Sequence, residues 1–209
     1  TAGVDTVITV HNHTKKVQHL FKVLFQGGFY NLVPSDLYAH YIHNSDFVRP
    51  GKEGENLILC APDKGARPMI DLVWDELKFA KARRITMDKV RSGERQVSME
   101  LASDSECGLD DLKGRDVIIF DDMVRTGSTI IECCRKLRLG NPRRICFCVT
   151  HFLPSEEARE NLNSKDLDEI LTTATIPSVL NRDVQGRLRR KIAVLKIGKW
   201  ISRFIIEQL

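Results

Sequence analysis

The chain has no CxxC pair, no apolar run long enough to span a bilayer and no stretch that reads as a signal peptide. It has no internal repeat and no low-complexity segment. These absences exclude a small disulfide scaffold, a solenoid and a helical membrane protein. Six cysteines are spread over 209 residues. Cys133 and Cys134 are adjacent on an expected helix, and Cys146 and Cys148 alternate along an expected strand, so they read as reduced, mostly buried thiols of a cytoplasmic protein. Charge is nearly balanced, with 32 basic against 28 acidic residues and a net +4, which leaves no basic excess on the scale of a nucleic-acid binder. What is present is an ordinary globular balance, 42% apolar and 29% charged. The length suits one large domain, or one domain plus part of another. The opening Thr1-Ala2-Gly3 lacks Met and already looks like the inside of a domain, so a fragment of a longer protein is expected.

One stretch organises the rest, Asp116 to Leu139. Val117-Ile118-Ile119-Phe120 is a continuous apolar run, as expected of a strand buried on both faces. Asp121 and Asp122 follow. Then comes the small-residue turn Arg125-Thr126-Gly127-Ser128-Thr129, after which Ile130, Ile131, Cys133, Cys134 and Leu137 recur at helical spacing. A Thr-Gly-Ser-Thr turn opening a helix offers backbone N–H groups, three hydroxyls and the positive end of a helix dipole. Gly127 permits close backbone approach to a ligand. That chemistry suits a phosphate monoester, and the paired acids suit vicinal hydroxyls or a divalent cation. Together they ask for a sugar phosphate. The plainer alternative is a β-α junction capped by Thr or Ser beside two solvated aspartates.

The remaining pattern alternates strands and helices. Thr6–Val10 is β-branched and reads as a strand ending at His11-Asn12-His13. A helical stripe follows to Gly27-Gly28. His11 and His13 suit metal ligands or phosphate neighbours, or simply a polar loop. Pro34-Ser35-Asp36-Leu37 reads as a helix start, and residues 47–55, with Pro50, Gly51 and Gly54, form the best domain boundary. The expected division is 1–50, a remnant of a preceding domain, and 51–209. Residues 56–60 read as a second buried strand, followed by the loop 62–67 and a helix to about Ala80. Residues 83–87 read as a short strand, 88–95 as a polar flap carrying Lys89, Arg91 and Arg95, and 96–101 as a strand of a hairpin. Residues 144–150, 167–173 and 192–197 read as strands, 155–162 and 199–209 as helices, and 181–190 as a basic loop. Such alternation predicts an α/β fold, a doubly wound parallel sheet with helices on both faces. Loops 62–67, 88–95 and 121–129 should then converge at the C-terminal edge of that sheet.

The run VIIF-DD-MVR-TGST resembles the phosphoribosyl-diphosphate (PRPP) motif of type I phosphoribosyltransferases and PRPP synthetases. Other segments resemble the ribose-phosphate pyrophosphokinase (PRPP synthetase) family in particular. These are GVDTVITVHNH, PSDLYA, APDKGA, DKVRSGE, THF and TATIP, in family order from Gly3 to Leu209, which covers about the C-terminal two-thirds of that family. The resemblance implies a type I phosphoribosyltransferase-like domain that transfers diphosphate from Mg-ATP to the 1-hydroxyl of ribose 5-phosphate, giving PRPP and AMP. It implies that Asp121, Asp122, Thr126, Gly127, Ser128 and Thr129 bind ribose 5-phosphate, with Lys89 and Arg91 catalytic. Asp63, Gly65, Ala66 and His13 would lie by the ATP phosphates, and His13 and Asp121 by Mg²⁺. It further implies a homo-oligomer without nucleic-acid or membrane partners. Departures are His11 in place of the family's first acid in D-x-H, Ser35, Lys64 and Arg67. The family's first domain is absent from this chain, so the chain alone is expected to bind ribose 5-phosphate and to make little PRPP. The other readings are a non-catalytic regulatory homologue and a phosphoribosyltransferase that consumes PRPP.

Overall fold

The computed structural model describes residues 3–24, 28–48, 53–92, 96–153 and 155–208, without the side chains of residues 15, 91, 92, 96 and 97. The chain divides into two compact units between Pro34 and Ser35.

In the first unit, the β-branched run forms β1 (Thr6–Val10), followed by α1 (Lys15–Leu24) and β2 (Gly28–Leu32). β2 pairs in parallel with β1. The sequence pattern shows only a helix stop at Gly28, because five residues without clear alternation carry little strand signal; it is pairing with β1 that makes them a strand. Phe21 of α1 stacks on Phe29 of β2 at 5.0 Å and closes the unit's small apolar contact.

The second unit begins with α2 (Ser35–His43), β3 (Leu57–Ala61) and α3 (Arg67–Leu77). β4 (Arg83–Ser92) and β5 (Gln96–Leu101) make the antiparallel hairpin, and β6 (Asp116–Val124) and α4 (Ser128–Arg138) carry the central motif. Then come β7 (Arg144–Phe152), α5 (Glu156–Leu162), β8 (Glu169–Thr173), α6 (Arg182–Gln185), β9 (Ile192–Leu195) and α7 (Gly198–Gln208). The sheet order is β5-β4-β3-β6-β7-β8-β9, and every pairing except β4 with β5 is parallel.

The expected doubly wound sheet is thus present, with an antiparallel edge. From β3 the chain steps outward to β4, and from β6 it steps the other way through β7, β8 and β9. The reversal leaves the C-terminal ends of β3 and β6 side by side, the place where open α/β sheets bind ligands. Strand alternation explains why β6 needs an unbroken apolar run. Val117 and Ile119 share one core with Ile130, Ile131, Cys133, Cys134 and Leu137 of α4. On the opposite face Phe120 meets the Tyr38 ring of α2 edge-on at 5.9 Å. The Tyr38 hydroxyl donates to Thr150 Oγ1 at 3.3 Å, and burial holds that phenol far above its ordinary range. Each fully buried apolar side chain of this kind contributes roughly 1.5–3 kcal/mol.

The division falls earlier than the Pro/Gly-rich stretch at residues 47–55. Phe47 is 2% exposed and its carbonyl accepts from Asn56 Nδ2 at 2.8 Å. The basic segment 181–190 is likewise structured, as α6 followed by a 3₁₀ turn at Gly186–Arg190. All six cysteines are free. Among the described residues no helix is long and apolar enough to cross a membrane.

Candidate active site

β6 runs four residues beyond its apolar stretch, so Asp121 and Asp122 lie within the strand and not after it. Pairing explains the extension: Asp121, Met123 and Val124 stand opposite Val149, His151 and Phe152 of β7, itself longer than its apolar core suggests. Backbone ladder bonds hold two acids near the sheet's C-terminal edge.

The environment of Asp121 is unusual. Burial first, and then the adjacent Asp122 carboxylate, push its carboxyl up to about 7, with Asp63 adding to the repulsion. The Asp122 amide donates to Asp121 Oδ1 at 2.9 Å and partly offsets that rise. The opposition between these acids is what a bound cation or sugar hydroxyls would relieve.

The turn after β6 is built around Gly127, whose φ of 76° lies in the left-handed region. A Cβ there would also come within 2.9 Å of Leu162 Cγ, so the close neighbour of this glycine is α5. Neither Thr126 nor Ser128 caps the helix. Gly127 itself is the N-cap, without a side-chain bond. In consequence the amides of Ser128, Thr129 and Ile130 meet no acceptor among the described residues. Thr126 Oγ1 and Ser128 Oγ stand 3.2 Å apart beside them. A helix N-terminus with open amides and flanking hydroxyls is a cradle for a phosphate dianion.

Three segments meet here. Lys89 Nζ donates to Thr129 Oγ1 at 3.1 Å, joining the hairpin to the phosphate turn across forty residues of chain. Lys64 Nζ lies 2.9 Å from Asp88, joining the β3 loop to the same hairpin. Asp63 belongs to that loop and raises the Asp121 carboxyl, as above. Residues 88–92, expected as part of a loop, are strand: their polar sequence is paired residue by residue with β5. Lys89 therefore projects from a ladder. The hairpin tip at 93–95 and the side chain of Arg91 lie outside the described residues; the Arg91 backbone stands opposite Val97.

Asp63, Gly65 and Ala66 are arranged differently from a waiting anion loop. The Asp63 Oδ1 atom accepts from Gly65 N at 2.8 Å and Ala66 N at 3.2 Å, capping a 3₁₀ turn at Lys64–Ala66. An entering phosphate would have to take those amides from the carboxylate. His13 belongs to the first unit and is exposed, just past β1, where His11 adopts φ 44°. The structure thus brings together Asp63, Lys89, the Asp121–Asp122 pair and Thr129, while the two candidate metal ligands, His13 and Asp121, fall in different units.

Sequence patterning did not reveal the support beneath the turn. Asn161 Nδ2 of α5 donates to the Thr126 carbonyl at 2.8 Å, and Ser155 Oγ donates to the Arg125 carbonyl at 2.9 Å while capping its own helix. With Leu162 against Gly127, α5 clamps the turn from below. At the ends of β7 and β8, His151 Nδ1 and Thr175 Oγ1 are 2.9 Å apart, bringing the THF and TATIP segments together.

No group of three or more His, Cys, Asp or Glu side chains that could hold a metal occurs among the described residues. Two neighbouring carboxylates nevertheless suit Mg²⁺, which commonly takes one or two protein acids and completes its shell with water and substrate phosphate oxygens.

Comparison with known proteins agrees with this geometry. The phosphoribosyl transferase domain family matches residues 36–183, and the chain belongs to that family. It is similar to the ribose-phosphate pyrophosphokinase of Corynebacterium efficiens, 29% identical over 99% of this chain and 57% of that protein. It is also similar to ribose-phosphate pyrophosphokinase 2 of Saccharomyces cerevisiae, 28% identical over 88% of this chain and 52% of the relative. The crystal structure of phosphoribosylpyrophosphate synthetase from Mycobacterium smegmatis shares the fold, with a TM-score of 0.74 and 23% identity over all of this chain and 61% of that one. The chain therefore spans little more than half the length of the relatives it matches.

Proposed function

We propose that this chain carries the ribose 5-phosphate and diphosphate-transfer half of a ribose-phosphate diphosphokinase. The observation that carries the reading is the meeting of Lys89 with Thr129 at 3.1 Å, because it sets a cation of the hairpin against the small-residue turn that follows the strand of Asp121 and Asp122. The 5-phosphate would occupy the open amides and the hydroxyls of Thr126, Ser128 and Thr129. The 2- and 3-hydroxyls of the sugar would face Asp121 and Asp122. With the sugar held so, its 1-hydroxyl attacks the β-phosphorus of ATP and gives up its proton to water, the bond from that phosphorus to the bridging oxygen of the α-phosphate breaks, and AMP leaves.

Positioning and charge neutralisation supply most of the rate in phosphoryl transfer, with little covalent work for the protein. Lys89, with Arg91, would stabilise the charge on the transferring diphosphoryl group. Asp63 and the amides of Gly65 and Ala66 would lie by the donor's phosphates, as would His13. Mg²⁺, when bound through Asp121 and Asp122, would screen the diphosphate charge. The protein that contains this chain is proposed to be cytoplasmic and homo-oligomeric, and this chain by itself to bind ribose 5-phosphate with little turnover.

Lys89→Ala in the protein containing this chain tests the reading. ATP-dependent AMP release should fall by about 100-fold or more, as for loss of a transition-state contact, while ribose 5-phosphate affinity changes little. Equal loss of both would remove Lys89 from the transition state. Consumption of PRPP with a nucleobase, or no AMP release at all, would overturn the assignment in favour of a transferase or a non-catalytic homologue.

A further inference from the structure

The hairpin that carries Lys89 leaves the main sheet before it reaches that residue. β3 pairs with β4 only from Ile58 opposite Arg83 to Ala61 opposite Thr86. From Met87 to Ser92 the strand partner of β4 is β5 alone, with Leu101 to Gln96 running back alongside. The outer part of β4 and β5 is thus a two-stranded ribbon, and such a ribbon has little stability of its own in water. Its place beside the site depends on what ties it down.

Strand alternation gives the ribbon two faces. On one, Met87 and Met99 are buried in the core that includes Ile130 and Ile131 of α4, and Lys89, directly opposite Met99, donates to Thr129 at 3.1 Å. On the other, Asp88 stands directly across from the exposed Glu100. Like charges directly opposite one another weaken an antiparallel pair. Lys64, 2.9 Å from Asp88, sets a cation against that acidic face. Among the described side chains this is the only ion pair that ties the ribbon to the rest of the unit. The base of the tie is firm. Lys64 opens the 3₁₀ turn that Asp63 caps, and Arg67, just after the turn, donates to Thr86 Oγ1 at 3.0 Å and pairs with Asp71 at 3.2 Å. Thr86 is the last residue of β4 in register with β3, so the Lys64–Asp88 pair bridges the point where the ribbon departs.

We propose that Lys64 is a positioning residue for Lys89: by holding Asp88 to the β3 loop it fixes the ribbon, and so the place from which the Lys89 ammonium meets the 126–129 turn and the transferring group. Residues 88 and 89 face opposite ways on one strand, so a tie on the first sets the second without touching substrate. What Lys89 does there rests on the diphosphokinase reading; how it is held rests on the geometry alone.

Two measurements test this. In the isotope-labelled chain, Lys64→Ala should speed amide exchange at residues 88–90 and 98–100 at least about 5-fold and leave β3 unchanged. Tm should hardly move, since an exposed ion pair adds little to global stability. In the protein containing this chain, Lys64→Ala should lower kcat for AMP release about 10-fold, with KM for ribose 5-phosphate nearly unchanged. Asp88→Ala should do the same, and Lys64→Asp combined with Asp88→Lys should restore both readouts. Ribbon exchange unaltered by Lys64→Ala would overturn the tie. Full turnover in Asp88→Ala beside low turnover in Lys64→Ala would mean that Lys64 acts on the donor directly, and the positioning role would fall. A parent protein that releases no AMP would sink the diphosphokinase reading instead, and the exchange rates would still decide whether Lys64 holds the ribbon.

Discussion

Asp116 opens β6 and Asp121 lies five residues further along it, and the two meet opposite fates. Asp116 is wholly buried, yet it is surrounded by donors. Arg143 Nε donates to Oδ1 at 2.7 Å, a second Arg143 nitrogen bonds Oδ2, and Arg144 and Asn56 each reach Oδ2 at 3.4 Å. Asp121 is partly open, faces two other acids, and has its carboxyl pushed up to about 7. The first arrangement ties β6 to β7 and the loop before β3. The second sets like charges against one another, an opposition that a cation or sugar hydroxyls would relieve. The supply of hydrogen-bond donors distinguishes the two carboxylates: Asp116 is ringed by them, and Asp121 faces acids.

The comparison can be broken most forcefully at Asp116. Asp116→Ala leaves Arg143 without its buried partner, and loss of one member of such a pair costs about 3–5 kcal/mol, or roughly 10 °C in Tm for a chain this size. Calorimetry should show that loss, and titration of the surviving folded protein should show unaltered ribose 5-phosphate affinity. Equal loss of affinity would mean that the start of β6 is coupled to the acid pair further along it.

Asp121→Asn should act with the opposite sign. A carboxyl raised to about 7 keeps its proton in the folded chain between pH 4 and 7, whereas the unfolded chain has already released it. Stability from this group is therefore present below pH 4 and is lost as pH rises through 7. The Asn variant should be more stable than the parent at pH 8, by about 1–2 kcal/mol, and its Tm should vary less between pH 4 and 7. Added Mg²⁺ should raise the parent's Tm at pH 8 more than at pH 5, and should have little effect on the variant. A variant less stable than the parent at pH 8 would show that Asp121 is already compensated.

The smallest effect is expected beneath the turn. Asn161→Ala removes one hydrogen bond to the Thr126 carbonyl and should cost about 1 kcal/mol of stability. Because the contact positions the phosphate cradle and does not touch the reacting atoms, ribose 5-phosphate affinity should fall several-fold with turnover at saturation nearly unchanged. A fall in turnover alone would place Asn161 elsewhere in the mechanism.

Much of this was legible before any coordinates. The apolar run 117–120, the acid pair, the small-residue turn and the stripe of α4 appear in the expected order, because each is a local pattern with its own periodicity. The meeting of three loops followed from the alternation of strands and helices. Less legible was whatever pairing decides. Residues 88–92 are polar and become strand only because β5 lies alongside, and β2 exists only because β1 does. The support from Ser155, Asn161 and Leu162 left no mark in the sequence, since an ordinary amphipathic helix would contain the same residues. The basic stretch 181–190 was visible as charge, while the burial of Leu188 within it and the inward turn of Lys191 after it were not.

The sequence by itself determined the layered α/β architecture and the residue types available for a sugar phosphate, because hydrophobic period and turn chemistry act over a few neighbouring residues. The tertiary structure decided which charges would be matched and which left opposed. Desolvation and Coulomb energies depend on distances across the sheet, and only strand order and register set those distances: they give Asp116 two arginines and bring Asp63 towards the Asp121–Asp122 pair.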